Sequence, residues 1–212
     1  MRARFEAIYT AALTDVLDGR GLRNQTLPHE LRPLVPGSRF AGPAYTIEGR
    51  PVDTPDWDAA LRKVLKMLGS VPDGHVAVYS CHHEISAHLG ELSVTSLQAR
   101  GVVGAVIDGG CRDTGFIAKT GFPVFSRFVT PEDSTWRWGL TATEQPITIG
   151  RVGIAPGDWI VADEDGVIVV PAAIAGEVLE AAEEKAAAES LIRDAVRGGM
   201  SPLEAYETFG TF

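Results

Sequence analysis

The segment Gly90-Glu91-Leu92-Ser93-Val94-Thr95-Ser96-Leu97-Gln98-Ala99-Arg100-Gly101-Val102-Val103-Gly104-Ala105-Val106-Ile107-Asp108-Gly109-Gly110-Cys111-Arg112-Asp113 decides how the rest of the chain is understood. Val102 to Ile107 is a short, apolar, β-branched run, the composition of a parallel strand covered on both faces. Thr95 to Arg100 can form helical turns ahead of it, and Gly101 and Gly104 flank a tight connection. Acid, glycines, arginine and acid then gather at the strand's carboxyl end. Open α/β sheets bind ligands there, because the loops leave polar groups unshielded while the packed strands behind hold them still.

Outward from this core, the chain alternates. Phe5 to Leu17 carries apolar residues at helical three-four spacing and ends at Asp18-Gly19, which predicts an N-terminal helix. Ala44 to Gly49 reads as a strand, Trp57 to Leu68 as a helix with Leu61, Val64, Leu65 and Leu68 on one face, and His75 to Ser80 as a second strand. Strand, helix, strand in that order favours a parallel pair. Gly121 to Ser126 predicts a strand, and Ile147 to Ile154, Trp159 to Ala162 and Gly166 to Val170 form an antiparallel-looking series joined by Pro156-Gly157-Asp158 and Asp163-Glu164-Asp165-Gly166. From Pro171 to Arg197 the chain is rich in Ala and Glu in helical register, and Gly198-Gly199 stops it. With no linker or low-complexity stretch, a single α/β domain over residues 1–212 with a mixed sheet is expected. The 171–197 helix, poor in large apolar residues, is expected to pack at a subunit interface of a homo-oligomer.

Composition excludes several classes. A net charge of -9 argues against nucleic acid, whose binders need clustered Lys and Arg. No apolar run approaches the roughly 20 residues of a membrane helix. The start, Met1 to Phe5, enters an amphipathic segment without a signal-like apolar stretch, so a cytoplasmic protein is expected. Cys81 and Cys111 have no CxxC spacing and are expected to be free thiols.

The chemistry lies in the opening segment. A carboxylate beside a guanidinium stays ionised at neutral pH, so Asp113 next to Arg112 can bind a hard cation. Mg2+ and Mn2+ suit such a site, since they keep several waters and need only one or two protein carboxylates. Arg112 offers a planar fork to a carboxylate or enolate oxygen, and Gly90-Glu91-Leu92-Ser93 at a helix start could present backbone N–H groups to an anion. Glu91 adds a proton-transfer group. Together these describe a 2-oxo acid pocket, although spacing alone leaves open that Asp108-Gly109-Gly110 is a tight turn and Arg112–Asp113 a surface pair. Cys81-His82-His83-Glu84 with His88 is a poorer zinc motif, because neighbouring strand residues point to opposite faces; these side chains are expected to line or flank the pocket mouth, with His88 the one to touch substrate or tune Glu91. Trp136-Arg137-Trp138 fits packing in a loop or subunit contact, and Arg127 a structural ion pair.

The same segment, from Gly90 to Asp113, closely resembles the signature of the RraA-like family, which includes 4-hydroxy-4-methyl-2-oxoglutarate aldolases. Leu13-Thr14-Asp15-Val16-Leu17-Asp18, Gly121 to Phe125, Pro156-Gly157-Asp158 and Asp163 to Val167 extend the likeness over nearly the whole chain, and twenty residues separate Glu91 from Arg112, as in the family's aldolases. The resemblance implies a layered α/β sandwich with a mixed sheet, of the swivelling β/β/α type, in a homotrimer or hexamer. It implies a class II aldolase that releases pyruvate from 4-hydroxy-2-oxo acids and also decarboxylates oxaloacetate. Asp113 would be the direct Mg2+ or Mn2+ ligand, Glu91 would reach the metal through a water, and Arg112 would hold the oxo group and stabilise the enolate. Backbone N–H groups of Gly90, Glu91, Leu92 and Ser93 would hold the carboxylate. Glu189 from a neighbouring subunit, with Glu183 and Glu184 as rivals, would complete the outer shell. The family also contains non-catalytic regulators that bind a ribonuclease. The sequence departs from the common pattern at His88, where bulky apolar residues are frequent, and at Phe116, where an acidic or small residue is usual.

Overall fold

The computed structural model describes residues 1–53 and 56–212. In chain order the elements are α1 (Arg2–Ala7), α2 (Thr10–Gly19), β1 (Arg32–Pro33), β2 (Phe40–Pro51), α3 (Trp57–Leu68), β3 (Val76–Ser80), β4 (Ala87–Leu89), α4 (Glu91–Ala99) and β5 (Gly104–Cys111). There follow α5 (Thr114–Thr120), β6 (Val124–Val129), β7 (Trp138–Thr143), β8 (Ile147–Ile149), β9 (Val152–Ile154), β10 (Trp159–Asp163), β11 (Gly166–Val170), α6 (Ala175–Arg197) and α7 (Pro202–Phe209). Among the described residues, nine strands form one mixed sheet in the order β1-β6-β5-β3-β2-β10-β11, with β4 beside β5 and β7 beside β2. The centre is parallel, β2 with β3, β3 with β5 and β5 with β6, as the strand–helix–strand order predicts. β10 joins it antiparallel to β2, and β10 with β11 form the expected hairpin.

The apolar runs divide between two faces with period two, as pleated backbone requires. Tyr79 and Ala77 of β3, with Ala105 and Ile107 of β5, pack with Met67, Leu68, Val94, Leu97 and Ile117 from α3, α4 and α5. Their neighbours Val76, Val78 and Val106 turn to the other face, where the separate β8–β9 hairpin covers them with Ile147, Ile149, Val152 and Ile154. This two-sided burial is why the central strands are apolar throughout. A third cluster joins α1, α2 and the first half of α6 to β10 and β11 through Phe5, Leu13, Leu17, Val161, Ile168, Val178 and Leu179.

Several elements differ from expectation for identifiable reasons. The N-terminal helix breaks at Ile8 and Tyr9, whose backbones are extended. The carboxylate of Asp163 restarts it by accepting from the Thr10 N–H and hydroxyl, both at 2.8 Å, a tertiary bond that overrides the local three-four pattern. Asp108-Gly109-Gly110 is not a turn; β5 runs through it to Cys111, with an irregularity in its pairing to β6. Trp138 lies in a strand and not in a loop, 3% exposed, and donates from Nε1 to the Cys81 carbonyl at 2.9 Å. Helical structure resumes after Gly198-Gly199 as α7, whose start is fixed by a capping box between Ser201 and Glu204. No helix among the described residues is long and apolar enough to cross a membrane. Both cysteines are free and buried.

The β2–β7 pairing leaves a sharp test of packing. A Cβ on Gly49 would lie 2.0 Å from Trp138 Cζ2 and 2.7 Å from the Gly139 carbonyl oxygen. Trp138 is held by its indole bond and the Gly139 oxygen belongs to the backbone, so neither yields easily. Gly49→Ala is expected to destabilise the fold by about 2–3 kcal/mol, the scale of overpacking a filled interior, measured as a lowered denaturation midpoint.

Candidate active site

The site forms where β4 and β5 leave the sheet side by side. Leu89 pairs with Cys111, and the Arg112 N–H bonds the Leu89 carbonyl at 3.0 Å, so the turn into α4 lies against the turn into α5. Gly90 is the N-cap of α4. Its backbone is extended, an ordinary conformation for any residue; glycine is needed for close approach, since a Cβ would stand 2.6 Å from Asp113 Oδ2 and 3.2 Å from Arg112 Nε.

Asp113 sits at the N-cap of α5 in the left-handed conformation, φ 57°, where few side chains other than Asn and Asp are at ease. Its side chain does not cap α5. Oδ2 instead accepts from the Glu91 N–H at 3.1 Å and faces Arg112 Nε at 3.6 Å. A carboxylate at the head of a helix that leaves its own cap and aims across to another loop is the pattern of a functional position. Oδ1 has no partner among the described residues. Glu91 accepts from the Thr95 hydroxyl at 3.2 Å, one turn along α4.

Arg112 is gripped from two sides. Nη1 lies 2.8 Å from Asp133 Oδ2 while Nε faces Asp113. Burial would raise the Asp133 carboxyl's pKa, but the Thr135 hydroxyl and N–H and the Arg112 guanidinium together hold it below the ordinary value, so it is ionised at neutral pH. Sequence reasoning missed Asp133, which lies twenty residues beyond Asp113 in the loop before β7. The only local signal was Asp133-Ser134-Thr135, a side chain that caps its own turn.

Two cavities meet at Arg112. A wide one of about 470 Å³ holds Asp113, Thr114, Phe116, Val129 and Thr130. A narrow one of about 120 Å³ is lined by Gly90 and Ser93 at the start of α4, by Arg112, and by His88, Asp133 and Trp138. Its first part is where the sequence places a carboxylate cradle of the Gly90, Glu91, Leu92 and Ser93 N–H groups; of these, the Glu91 N–H is taken by Asp113.

A metal at this place would rest on one carboxylate. Among the described residues no three His, Cys, Asp or Glu side chains gather to hold an ion. Asp113 with one unpartnered oxygen therefore fits a hard cation that keeps most of its waters, and it does not fit zinc, which takes three or four protein ligands.

Residues 10–169 match the family model described as RraA-like, Aldolase/RraA. The chain belongs to the RraA-like family. This RraA-like chain is 31% identical over 204 residues to a protein of Halalkalibacterium halodurans provisionally named a 4-hydroxy-4-methyl-2-oxoglutarate aldolase, covering 96% of this chain and 91% of that one. Among solved structures, an uncharacterized protein from Pseudomonas syringae pv. tomato shares 30% identity at a TM-score of 0.88, covering 97% of this chain and 92% of that one. Streptomyces coelicolor RraAS2, described as an unusual member of the RNase ES inhibitor RraA family, shares 29% identity at a TM-score of 0.80, with 90% and 94% covered. The layered α/β architecture with its mixed sheet is that of these RraA-like neighbours.

The remaining candidates of this RraA-like chain fall elsewhere. Glu189 is engaged within its own chain: Oε2 accepts a short hydrogen bond from the Tyr9 hydroxyl, and Lys185 lies 3.4 Å from Oε1. Burial and then Glu189 push the Tyr9 phenol up to about 12. Glu183 pairs with Arg4, and Glu184 is exposed. His82 faces Glu48 and Ser80, and His83 bonds Ser86, so the two histidines do diverge. Arg127 pairs closely with Asp108, which takes that aspartate out of the Arg112 cluster.

Proposed function

We propose that the protein is a divalent-metal-dependent lyase that cleaves 4-hydroxy-2-oxo acids to release pyruvate, with oxaloacetate decarboxylation as an accompanying reaction. The observation that carries this is the meeting of the Glu91 N–H, Arg112 and Asp113 at one junction, with Asp113 held in left-handed backbone, one carboxylate oxygen unpartnered among the described residues, and the Glu91 carboxylate one helical turn away on Thr95. The likeness to the H. halodurans protein supports the same chemistry.

In this reading the N–H groups of Leu92 and Ser93, at the positive end of α4, take the substrate's carboxylate. Asp113 would hold Mg2+ or Mn2+, whose Lewis acidity supplies polarisation of the 2-oxo group. Glu91 draws the proton from the 4-hydroxyl through a water. The C3–C4 bond then breaks, C4 leaves as an aldehyde or ketone, and the bond's electron pair forms the pyruvate enolate. Arg112 stabilises the negative charge that develops on the enolate oxygen, and Glu91 returns a proton to C3. In oxaloacetate the same bond breaks to give carbon dioxide and the same enolate.

The proposal includes a homotrimer or hexamer, in which Glu189 of an adjacent subunit would add a carboxylate once its bond to Tyr9 opens. Exposed apolar residues beside the site, Leu92 at 80% and Phe116 at 63%, are suited to such a contact. A second reading, a regulator that binds a ribonuclease, is favoured by the likeness to RraAS2. The test is pyruvate release by the purified protein from 4-hydroxy-2-oxobutyrate and oxaloacetate with and without Mg2+ or Mn2+. Turnover supports the lyase, and its absence under every metal, with inhibition of a ribonuclease, would establish the regulator.

A further inference from the structure

The steps above use Arg112 but not the carboxylate that meets it most closely. Nη1 of Arg112 lies 2.8 Å from Asp133 Oδ2, whereas Nε stands 3.6 Å from Asp113 Oδ2, beyond an ordinary hydrogen bond. Asp133 is therefore the arginine's principal partner, and Arg112 lines both cavities of the site.

Asp133 is held in turn. Oδ1 accepts from the Thr135 N–H at 2.8 Å and from its hydroxyl at 2.6 Å, which leaves Oδ2 to Arg112. The Asp133 carbonyl accepts from Arg137 Nη1 at 3.0 Å, and Arg137 Nε pairs with Glu132 at 3.2 Å. The Ala87 N–H bonds the Glu132 carbonyl at 2.8 Å, Ala87 bridges to Asp133, and the same Ala87 pairs with Gly110 of β5. Through β4, the carboxylate is thus mounted on the strand that leads into Arg112.

Stability alone does not explain this arrangement. The two side chains are 36% and 42% exposed, and an ion pair so open to water adds little to folding. A free guanidinium has many rotamers, and fixing it before the substrate arrives removes the cost of ordering it later. The fixing needs both oxygens of a carboxylate: an amide at position 133 has one acceptor for two sets of donors, those of Thr135 and that of Arg112, and fails one of them.

We propose that Asp133, set by Thr135, is a positioning residue that holds the Arg112 guanidinium toward the reacting oxygen and away from Asp113. This rests on the lyase reading above and names the residue that keeps its arginine in place. Without Asp133 the guanidinium swings onto Asp113, where it misses the enolate and occupies the carboxylate assigned to the metal.

Two measurements on the purified protein test this, one of them independent of turnover. Oxalate, a planar dianion with the shape of pyruvate enolate, is the probe for titration calorimetry in the presence of Mg2+. Were Asp133 only a negative charge near the site, Asp133→Asn would let oxalate bind tighter. The expected result has the opposite sign, ~10-fold weaker binding, and in the Arg112→Ala background Asp133→Asn changes the affinity less than about 2-fold, since no guanidinium remains to be positioned. In kinetics with 4-hydroxy-2-oxobutyrate, Asp133→Asn is expected to lower kcat ~10- to 100-fold with KM within about 2-fold, because a misplaced donor fails charge that appears only in the transition state. Thr135→Val is expected to show a smaller loss of the same kind and Thr135→Ser to restore it, which keeps the test in force if Asp133→Asn does not fold. Oxalate affinity unchanged or raised in Asp133→Asn, losses that add to those of Arg112→Ala, or a wild type that does not bind oxalate overturns the proposal. If oxalate follows the expected pattern while nothing is turned over, the positioning role stands and the lyase reading falls. If Asp133→Asn turns over normally, the positioning role falls and the lyase reading stands.

Discussion

Arg112→Ala is expected to lower pyruvate release by about 10²–10³-fold, the usual cost of removing one donor from a developing oxyanion. The guanidinium joins the site's two halves, with Nη1 2.8 Å from Asp133 and Nε 3.6 Å from Asp113. Its removal leaves two carboxylates facing each other where an enolate must form. Arg112→Lys is expected to recover little, because an ammonium cannot reproduce a planar fork that meets two partners. Steady-state kcat/KM of the purified variants, with denaturation curves to show that they fold, measures this. Activity within twofold of wild type would remove Arg112 from the mechanism.

Gly90→Ala is expected to cost about 10²-fold in kcat/KM, the penalty of displacing a reacting group by about 1 Å. The new methyl would lie 2.6 Å from Asp113 Oδ2, which is the end of a side chain and free to swing. The fold therefore survives while the carboxylate loses the Glu91 N–H. This separates Gly90 from Gly49, where the obstructing atoms are an anchored indole and a backbone carbonyl. One glycine guards the site's geometry and the other the fold's packing. Comparing the two variants by activity and by denaturation midpoint is the check; a Gly90→Ala variant of full activity would show that Asp113 need not face Glu91.

Much of this was legible in the sequence because the central strands are simple. β3 and β5 are apolar on both faces and β-branched, so length and composition sufficed to place them. β4 was hidden because Ala87-His88-Leu89 is three residues long with a histidine at its centre. β7 escaped because its pairing with β2 passes an irregularity at Glu48/Gly49 and joins residues some ninety positions apart. The break between α1 and α2 was likewise invisible locally, since Asp163, which fixes it, lies 153 residues away from Thr10.

The site divides in the same way. Glu91, Arg112 and Asp113 announce themselves as polar residues among glycines at the end of an apolar run. Asp133 carries no such mark, and only the loop's return beside β4, where the Ala87 N–H bonds the Glu132 carbonyl, brings it to Arg112. His88 was visible as a departure from the family's pattern, but its two unpartnered nitrogens belong to the three-dimensional structure.

The most direct measurement is pyruvate release from 4-hydroxy-2-oxobutyrate by chelator-treated protein as Mg2+ or Mn2+ is restored, for wild type and Asp113→Asn side by side. The expected result is no release without metal, saturable recovery in the wild type, and little or no recovery in Asp113→Asn, whose amide is a neutral and weaker ligand. Release that ignores the chelator, or a fully active Asp113→Asn variant, would contradict the assignment of this junction as a metal-dependent lyase site.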